Sequence, residues 1–271
     1  MRVRASVSRR AAGVLGALLA LGVTAGCATG GGSGQAASGV TGQGAQLVAT
    51  GNVMDQKLPA TATTTSLVGQ DGKSFTLGSL RGRVVVLAPL LTMCQETCPM
   101  TTANMHTAAQ AAERSGASGR VVFLEVTVDP ARDTVRRLRA YGKLYGDLPD
   151  WQLATGSPAQ VKALWKALGV STTKAGDDRV RDWLTGKTLK HSYDVHHQDV
   201  VLAIDTAGRL RWITVGRPDA RGTRLPTTLQ TFLNDEGRQN YAHPSDGGAS
   251  TWSAHDVQQA VAYVLKLHSR S

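Results

Sequence analysis

An apolar run that ends in a pair of cysteines places the strongest constraint on this chain. Residues 84–91 form an almost continuous aliphatic run, which is the pattern of a strand covered on both faces. Cys94 and Cys98 follow, and residues 99–114 have helical periodicity with a proline suited to the first turn. The sequence therefore predicts a strand-to-helix turn that carries two thiols. Such a pair can be a redox couple, a soft-metal site or a structural disulfide.

The position of the two thiols favours reactive chemistry over a structural disulfide. A thiol at the start of a helix lies at the positive end of the helix dipole, which stabilises the thiolate that attacks disulfides and binds metals. Cys98 stands at the predicted helix start, and Cys94 lies in the preceding loop. A disulfide between them would close too short a loop to remove much entropy from the unfolded chain. The redox and metal interpretations both stay open.

Strands and helices alternate along the rest of the chain. The patterns predict strands at 84–91, 120–128, 151–154, 199–204 and 210–215, helices at 99–114, 134–145, 157–168 and 254–267, and a hairpin at 66–77. Asp133 is expected to cap the helix at 134–145, while residues 171–197 and 216–252 are expected to be irregular. This order predicts an α/β fold that resembles the thioredoxin-like arrangement: a central sheet flanked by helices, with an N-terminal hairpin extension and a C-terminal helical tail.

The amino-terminal residues have the pattern of an export signal. Four arginines precede an apolar run at residues 11–23, which is too short to span a bilayer as a mature helix. Residues 24–27, Thr-Ala-Gly-Cys, resemble a bacterial lipobox, in which the cysteine is lipidated and the chain is cut before it. We therefore expect residues 1–26 to be a lipoprotein signal peptide and Cys27 to carry a lipid anchor at the cell membrane, facing the extracytoplasmic side.

The composition after Cys27 predicts a tether and one folded domain. Residues 27–55 are rich in small and polar residues and are expected to be a flexible tether, which leaves 56–271 as the domain. Removal of the four arginines lowers the formal net charge from +10 to +6, a balance that suits an anionic membrane surface. The sequence has no nucleic-acid-binding motif and no basic stripe with interleaved aromatics, so we expect no nucleic-acid partner.

A pair of histidines supplies a third candidate donor. His196 and His197 precede the predicted strand at 199–204. In a thioredoxin-like fold, the loop before this strand faces the cysteine turn and normally holds a cis-proline. Two thiolates and one imidazole form a soft, three-coordinate set that suits copper. The remaining histidines, His106 among them, are expected to be solvated.

Three motifs in order carry a resemblance to a known family. Residues 94–99 match the C-x-x-x-C-P signature of the SCO/SenC family, and residues 126–134 are similar to its strand ending in D-P-x-x-D-T. Residues 195–197 are similar to its V-D-H motif before the trailing strand. The resemblance covers about residues 60–216.

The resemblance implies a membrane-tethered, copper-binding domain that delivers copper to the CuA centre of cytochrome c oxidase during assembly. Carried over position by position, the ligands of Cu(I) or Cu(II) would be Cys94, Cys98 and His197. The implied partner is the CuA-bearing oxidase subunit, with another copper chaperone or a thiol reductant as a further partner. Such a protein is a metallochaperone rather than an enzyme.

Some positions depart from the family pattern or have other roles. Leu90 and Leu91 stand where the family usually has aromatics, and His196 replaces the acidic residue before the ligand histidine. That replacement changes the hydrogen bonds available to orient the ligand. Asp129 and Asp133 match motif positions, but we interpret them as loop and helix-cap residues rather than ligands.

The alternative function is an extracytoplasmic thiol–disulfide oxidoreductase, which would be an enzyme. It needs Cys94 and Cys98 alone, cycling through a disulfide to reduce the cysteines of a partner. The three-residue spacer departs from the usual C-x-x-C redox motif. A histidine where a redox thioredoxin would have proline also favours copper. A peroxide-reducing enzyme of related fold is the weakest alternative, because no T-x-x-C context accompanies the cysteines.

Overall fold

The computed structural model describes residues 50–246 and 250–268. The predicted signal peptide, the lipidation site Cys27 and most of the predicted tether lie outside the described residues. Within the described part, we find no helix that combines the length and the apolar character needed to cross a membrane.

Strands and helices alternate as the sequence predicts. In chain order, the strands are β1 (Asn52–Lys57), β2 (Leu67–Gly69), β3 (Ser74–Phe75), β4 (Val84–Leu90), β5 (Val121–Thr127), β6 (Trp151–Thr155), β7 (Thr172–Arg181), β8 (Thr188–His197), β9 (Val200–Ile204), β10 (Arg209–Val215), β11 (Arg217–Pro218) and β12 (Thr251–Trp252). The helices are α1 (Ala60–Thr64), α2 (Cys98–Arg114), α3 (Val135–Tyr145), α4 (Pro158–Ala167), α5 (Thr227–Phe232), α6 (Asp235–Ala242) and α7 (Ala254–His268), and a short 3-10 helix covers Leu77–Leu80.

A mixed sheet of eight strands forms the centre of the fold, in the order β1-β10-β9-β4-β5-β6-β2-β3. Strands β4, β5 and β6 are parallel, whereas β9 is antiparallel to β4 and β10 is antiparallel to β9. The segment β10-β9-β4-β5 has the strand order of a thioredoxin-like core. Every residue of β4 and β5 is buried, as the aliphatic runs predict for strands covered on both faces. The predicted α/β fold, a central sheet flanked by helices, is confirmed.

Helix α2 positions the cysteines and packs with α7. Pro99 lies in the first turn of α2, where its missing N–H removes no helical hydrogen bond. Helix α7 contacts α2, β4 and β9, and its Val257 and Val264 are fully buried. Strands β2 and β3 form the predicted N-terminal hairpin, in which Leu67 pairs with Phe75. Helix α7 is the predicted helix of the C-terminal tail, which also contains α5 and α6.

Residues 171–197 form a hairpin, so the prediction of an irregular stretch is wrong. Strand β7 pairs antiparallel with β8, and Thr172 lies opposite His197. The sequence of β7, Thr-Thr-Lys-Ala-Gly-Asp-Asp-Arg-Val-Arg, is dominated by polar residues and glycine, which are not strand formers apart from threonine. The two strands pair with each other in a sheet of their own. No alternating apolar face marks them in the sequence.

Residues 216–252 are also more regular than predicted. They contain β11 and β12, which pair in parallel, and helices α5 and α6. These elements have two to eight residues, too few to show a clear hydrophobic period. The expectation of an irregular stretch is therefore wrong for most of this segment.

The folded domain begins earlier than predicted. Strand β1 starts at Asn52 and pairs with β10, so residues 52–55 belong to the sheet and not to a tether at 27–55. Gly51 precedes the strand with a φ of 100°, and a Cβ there would lie 2.6 Å from the Trp212 ring. The chain therefore enters the domain at a glycine that no other residue could replace without strain.

Two polar residues are more buried than the sequence suggests. Asp133 does not cap α3, because the Thr134 hydroxyl accepts the hydrogen bond from the Arg137 N–H instead. His106 is buried rather than solvated: Nε2 lies 2.9 Å from the Gly146 carbonyl, and the ring packs edge-on against Trp151. Burial lowers the pKa of His106, which favours its neutral form.

Candidate metal centre

The two cysteines lie where β4 gives way to α2. A turn after β4 brings the Cys94 N–H to the Leu91 carbonyl at 3.1 Å. Residues 91–97, which we name the cysteine loop, then lead to Cys98, the first residue of α2. Cys94 is 8% exposed and Cys98 is 1% exposed, and both are free thiols. The structure therefore holds a reduced dithiol near the surface, with Cys94 as the outer sulfur.

Hydrogen bonds make the two thiols chemically different. The hydrogen bond with the Cys98 thiol lowers the pKa of Cys94, and backbone N–H groups of Cys98, Glu96 and Thr97 lower it further against the effect of burial. The Glu96 N–H lies 3.4 Å from the Cys94 sulfur. The same interaction with Cys94, together with burial, raises the pKa of Cys98 well above its ordinary value. Cys94 is therefore the sulfur that ionises first.

His197 reaches Cys98 from the end of β8. Its Nε2 lies 3.3 Å from the Cys98 sulfur, and its Nδ1 lies 3.1 Å from the Gln198 carbonyl oxygen. A carbonyl can accept but not donate, so Nδ1 carries the proton in this pair. In the neutral ring, Nε2 is then left with its lone pair facing the thiols. This is the tautomer that a metal ligand needs.

The structure places the Cys98 thiol beside both the Cys94 thiol and the His197 imidazole. Cys94, Cys98 and His197 offer two sulfurs and one unprotonated imidazole nitrogen from the cysteine loop, α2 and β8. Among the described residues, however, no three Cys, His, Asp or Glu side chains are already grouped closely enough to hold an ion. Metal binding would therefore draw the three side chains together around the ion.

His196 and His197 have different surroundings. His197 faces Cys98, whereas His196 is exposed and lies one residue earlier on β8, where successive side chains alternate in direction. His196 also borders the cavity above the thiols. The geometry therefore favours His197 as the donor beside the thiols and offers His196 as a natural comparison.

An open cavity of about 200 Å³ lies above the thiols and contains several carboxylates. Burial raises the pKa of Glu96, and the neighbouring carboxylates of Glu236 and Asp194 add to this effect. Burial also raises the pKa of Asp199, which accepts a hydrogen bond of 3.0 Å from the Thr97 hydroxyl. The cavity is lined by Cys94, Glu96, Thr97, Asp194, Val195, His196, His197, Asp199, Arg217, Glu236 and Asn240. Its acidic lining favours cations over anions.

A family model described as SCO1/SenC matches residues 54–222, more than half of the chain. The chain belongs to the SCO1/SenC family. Sco family proteins bind copper and are proteins of cytochrome c oxidase assembly.

Individual members of the SCO1/SenC family are distant relatives. The Arabidopsis thaliana protein SCO1 homolog 1, mitochondrial, is 32% identical over 114 residues, which are 42% of this chain and 33% of the relative. The match thus spans about a third of the plant protein. The Bacillus subtilis (strain 168) SCO1 protein homolog is 26% identical over 156 residues, which are 52% of this chain and 80% of the relative. The copper-bound crystal structure of Arabidopsis thaliana ScoI is 23% identical, covers 60% of this chain and 87% of that chain, and has a TM-score of 0.45.

The SCO1/SenC motif D-P-x-x-D-T contributes the floor of the cysteine loop. The Asp133 carboxylate, fully buried, accepts hydrogen bonds from the Thr92 N–H at 3.2 Å, from the Thr92 hydroxyl and from the Thr127 hydroxyl at 2.6 Å. Burial raises the pKa of Asp133 to about 6, against these hydrogen bonds. The expected capping role of Asp133 is wrong, because its carboxylate belongs to this buried hydrogen-bond network instead. Asp133 therefore links the start of the cysteine loop to the end of β5.

Two further contributors come from outside the matched region. Glu236 and Asn240 on α6 line the cavity, although the SCO1/SenC match ends at residue 222. Neither residue was singled out from the sequence as part of a site. Their spacing of four residues places both on one face of a helix, which is the signal that could have linked them.

Proposed function

We propose that this chain is a membrane-anchored copper metallochaperone that binds copper through Cys94, Cys98 and His197. The observation that carries the proposal is the 3.3 Å contact between the Cys98 sulfur and His197 Nε2, with Nδ1 held by the Gln198 carbonyl. A redox site would need the sulfurs alone. An imidazole with its lone pair turned toward a buried dithiol is instead the arrangement of a ligand set.

The chemistry of the donors supports copper as the cargo. Thiolates are soft ligands that bind Cu(I), and imidazole suits copper in either oxidation state. The Cys94 thiol has a lowered pKa and therefore loses its proton readily when a metal arrives. Copper binding is also a property of the family to which the chain belongs. The acidic cavity gives an incoming cation a favourable approach to the sulfurs.

The recipient and the location are parts of the same proposal. We propose delivery to the CuA-bearing subunit of cytochrome c oxidase, with another copper chaperone or a thiol reductant preparing the site. The lipobox-like residues 24–27 support a lipid anchor on Cys27 at the extracytoplasmic side of the cell membrane. A dithiol in that compartment needs a reductant or a bound metal to stay out of a disulfide.

A titration of the reduced chain with Cu(I) and with Cu(II) tests the proposal. We expect one copper per chain. His197→Ala should weaken copper binding by at least about a hundredfold. Mutating residues that only hydrogen-bond to metal ligands already lowers metal affinity roughly 10- to 100-fold. His196→Ala is the matched control and should leave the affinity within a few fold. Equal affinities of the His197→Ala and wild-type chains would overturn the three-ligand site.

Thiol–disulfide exchange is the second candidate function, and the unequal thiols support it. A lowered pKa at Cys94 and a raised pKa at Cys98 are the division expected of an attacking and a resolving sulfur. This function predicts reduction of a partner disulfide that depends on both cysteines. His197→Ala would then leave the reduction rate nearly unchanged, which separates the two functions in one variant.

A further inference from the structure

A segment beyond the family match is bonded to the cysteine loop. The SCO1/SenC match ends at residue 222, yet the loop residue Gln95 makes two hydrogen bonds with the chain just before α6. Gln95 Nε2 donates to the Phe232 carbonyl at 2.7 Å, and the Asn234 N–H donates to the Gln95 carbonyl at 3.2 Å. The tail therefore binds both the side chain and the backbone carbonyl of Gln95, which lies between the two cysteines.

Asn234 connects this contact to α6 itself. Its Nδ2 donates to Glu96 Oε1 at 3.1 Å, and its Oδ1 accepts from the Gly237 N–H at 2.7 Å. The second bond caps the amino terminus of α6. One side chain thus fixes the start of the helix and the residue midway between Cys94 and Cys98.

The backbones of α6 and the cysteine loop also touch directly. A Cβ on Gly237 would lie 2.0 Å from the Gln95 carbonyl oxygen and 3.1 Å from Glu96 Cα. Gly237 is buried and lies in the helix, so its value here is the absence of a side chain. Any other residue would push α6 away from the loop.

Asn240 brings α6 into the cavity beside the thiols. The residue is 4% exposed and borders the cavity together with Cys94 and His197. Its carboxamide has no hydrogen-bond partner among the residues that the structure describes. The amide atoms reach the cavity and are not sealed from solvent, so the carboxamide is available to hydrogen-bond with a group held there.

We propose that α6 is a positioning element of the dithiol site: it clamps the cysteine loop through Gln95, Glu96 and Gly237, and it presents the Asn240 carboxamide to the group bound at the thiols. The clamp concerns the metal-free chain and stands independently of the cargo. The role of Asn240 rests on the proposed function, since it needs an ion or an ion-bound ligand at the thiols.

Alkylation of the reduced, metal-free chain with iodoacetamide tests the clamp. Cys98 is 1% exposed and does not border the cavity, so the reagent reaches its sulfur through local opening of the loop, and peptide mass spectrometry follows the alkylation of Cys98. Gln95→Ala removes the bond to Phe232 and should raise the alkylation rate constant about fivefold, the factor for one hydrogen bond of typical net strength. Gly237→Ala, which separates the two backbones, should raise it by about tenfold or more.

The control lies on the same helix. Gln239 is exposed, and Gln239→Ala should leave the alkylation rate within about twofold. Amide exchange in β4 and β5 reports global stability and should not change in Gln95→Ala. If Gly237→Ala fails to fold, Gln95→Ala alone decides the clamp. Alkylation of a folded Gln95→Ala chain at the rate of Gln239→Ala would overturn it.

The spectrum of the Cu(II)-loaded chain tests the role of Asn240. We expect Asn240→Ala to shift the thiolate-to-copper absorption bands and the electron paramagnetic resonance parameters, while Gln239→Ala leaves both unchanged. Identical spectra in the two variants would overturn the role of Asn240. If the wild-type chain binds no copper, the proposed function and the role of Asn240 both fail. The alkylation result still decides whether α6 clamps the cysteine loop.

Discussion

At the scale of single residues, the three side chains of the dithiol site differ in their protonation. One thiol ionises first, the other thiol keeps its proton, and the imidazole offers a nitrogen lone pair. Cys94 ionises first because Cys98 and backbone N–H groups donate to its sulfur. Cys98 keeps its proton and lies 3.3 Å from His197 Nε2. In the proposed copper site, a metal ion would replace that proton, and the imidazole already points at the sulfur. The same residues would thus serve both as a protonated resting state and as the ligands.

A second buried acid lies deeper in the core, away from the cavity. Glu125 on β5 is fully buried and accepts hydrogen bonds from the Thr102 hydroxyl at 2.7 Å and from the Trp151 indole N–H at 2.8 Å. Burial raises its pKa to about 7 from an ordinary 4.5, against both hydrogen bonds. The folded chain therefore binds this proton more tightly than the unfolded chain does.

The pKa of Glu125 predicts a pH dependence of stability. Because the folded-state pKa is raised, the contribution of Glu125 is most favourable below about pH 4.5 and is lost as the pH rises through about 7. Glu125→Gln keeps both hydrogen bonds and should increase the free energy of unfolding by on the order of 2–3 kcal/mol at pH 8, with little gain at pH 4.5. Urea unfolding at both values measures the difference.

The control for this prediction is Glu113→Gln, which changes an exposed acid on α2. It should leave the free energy of unfolding nearly the same at both pH values. A Glu125→Gln effect of equal size at pH 4.5 and pH 8 would contradict the buried, proton-binding role of Glu125.

At this scale, the sequence identifies the residues whose chemistry can be predicted from their type and spacing. Cys94, Cys98 and His197 could be proposed as one site because they match positions of the SCO/SenC motifs and because two thiolates and an imidazole suit one soft metal ion. Glu125 and Asn240 could not be found in this way. Their importance arises from burial, and burial of a polar residue is set by contacts between segments far apart in sequence.

At the scale of elements, the β7–β8 hairpin determines where the histidine stands. His197 ends β8, and Trp183 in the connection donates its indole N–H to the Thr92 carbonyl of the cysteine loop at 2.7 Å. Arg137 on α3 binds both carboxylate oxygens of Asp182, at 2.9 and 2.8 Å. The hairpin is therefore fastened at its turn, and its far end carries the imidazole.

Removing Asp182 should show how much the Arg137–Asp182 ion pair contributes to the free energy of unfolding. The hydrogen bonds from Arg137 are the main cause that lowers its pKa to about 2, and bonds from Leu184 and Thr185 add to them. Asp182→Ala should lower the free energy of unfolding by about 2 kcal/mol at pH 7, typical of hydrogen bonds to a charged group. The difference should shrink as the pH falls from about 4 towards 2, because a lowered pKa stabilises the fold only while the carboxylate is ionised.

Hydrogen exchange locates the effect of Asp182→Ala. We expect faster exchange in β7 and β8 with little change in β4 and β5. Lys73→Ala, which breaks an exposed ion pair with Asp71, is the control and should change stability by less than about 1 kcal/mol. Uniform acceleration over all strands would contradict a local role for the fastening.

The elements differ in how well the sequence predicts them. Strands β4, β5 and β9 have aliphatic runs because both of their faces are covered, and each was predicted to within about a residue of its bounds. The β7–β8 hairpin was missed because its strands pair with each other, with polar residues and a glycine along β7. Helices α5 and α6 are too short for a period to emerge.

At the scale of the whole molecule, the segments after the family match complete the described fold. The Trp252 indole N–H donates to the Gly216 carbonyl at 2.8 Å, and the Trp252 side chain is 1% exposed. Helix α7 covers β4 and β9 together with α2. At the other end, β1 joins the sheet beside β10. The order of core elements was predictable from the sequence, whereas these long-range closures were not, because they depend on pairing across most of the chain.

The proposed lipid anchor on Cys27 determines where the whole molecule is located. Cys27→Ser should abolish incorporation of labelled palmitate and move the chain from the membrane fraction to the soluble extracytoplasmic fraction of a bacterial host. The physical reason is that, in the proposed anchored form, the lipid on Cys27 would supply the membrane affinity. A Cys94→Ser chain is the control and should stay labelled and membrane-bound. Palmitate labelling of the Cys27→Ser chain would contradict the lipobox interpretation.

X-ray absorption at the copper edge tests the central proposal most directly, because it counts the atoms bound to the ion. For the copper-loaded chain we expect two sulfur neighbours at about 2.2–2.3 Å and one imidazole nitrogen at about 2.0 Å, by analogy with thiolate and imidazole distances at zinc. His197→Ala should lose the imidazole signal, and His196→Ala should keep it. A copper site with no sulfur neighbours, or an imidazole signal that survives in His197→Ala, would contradict the assignment of Cys94, Cys98 and His197 as ligands.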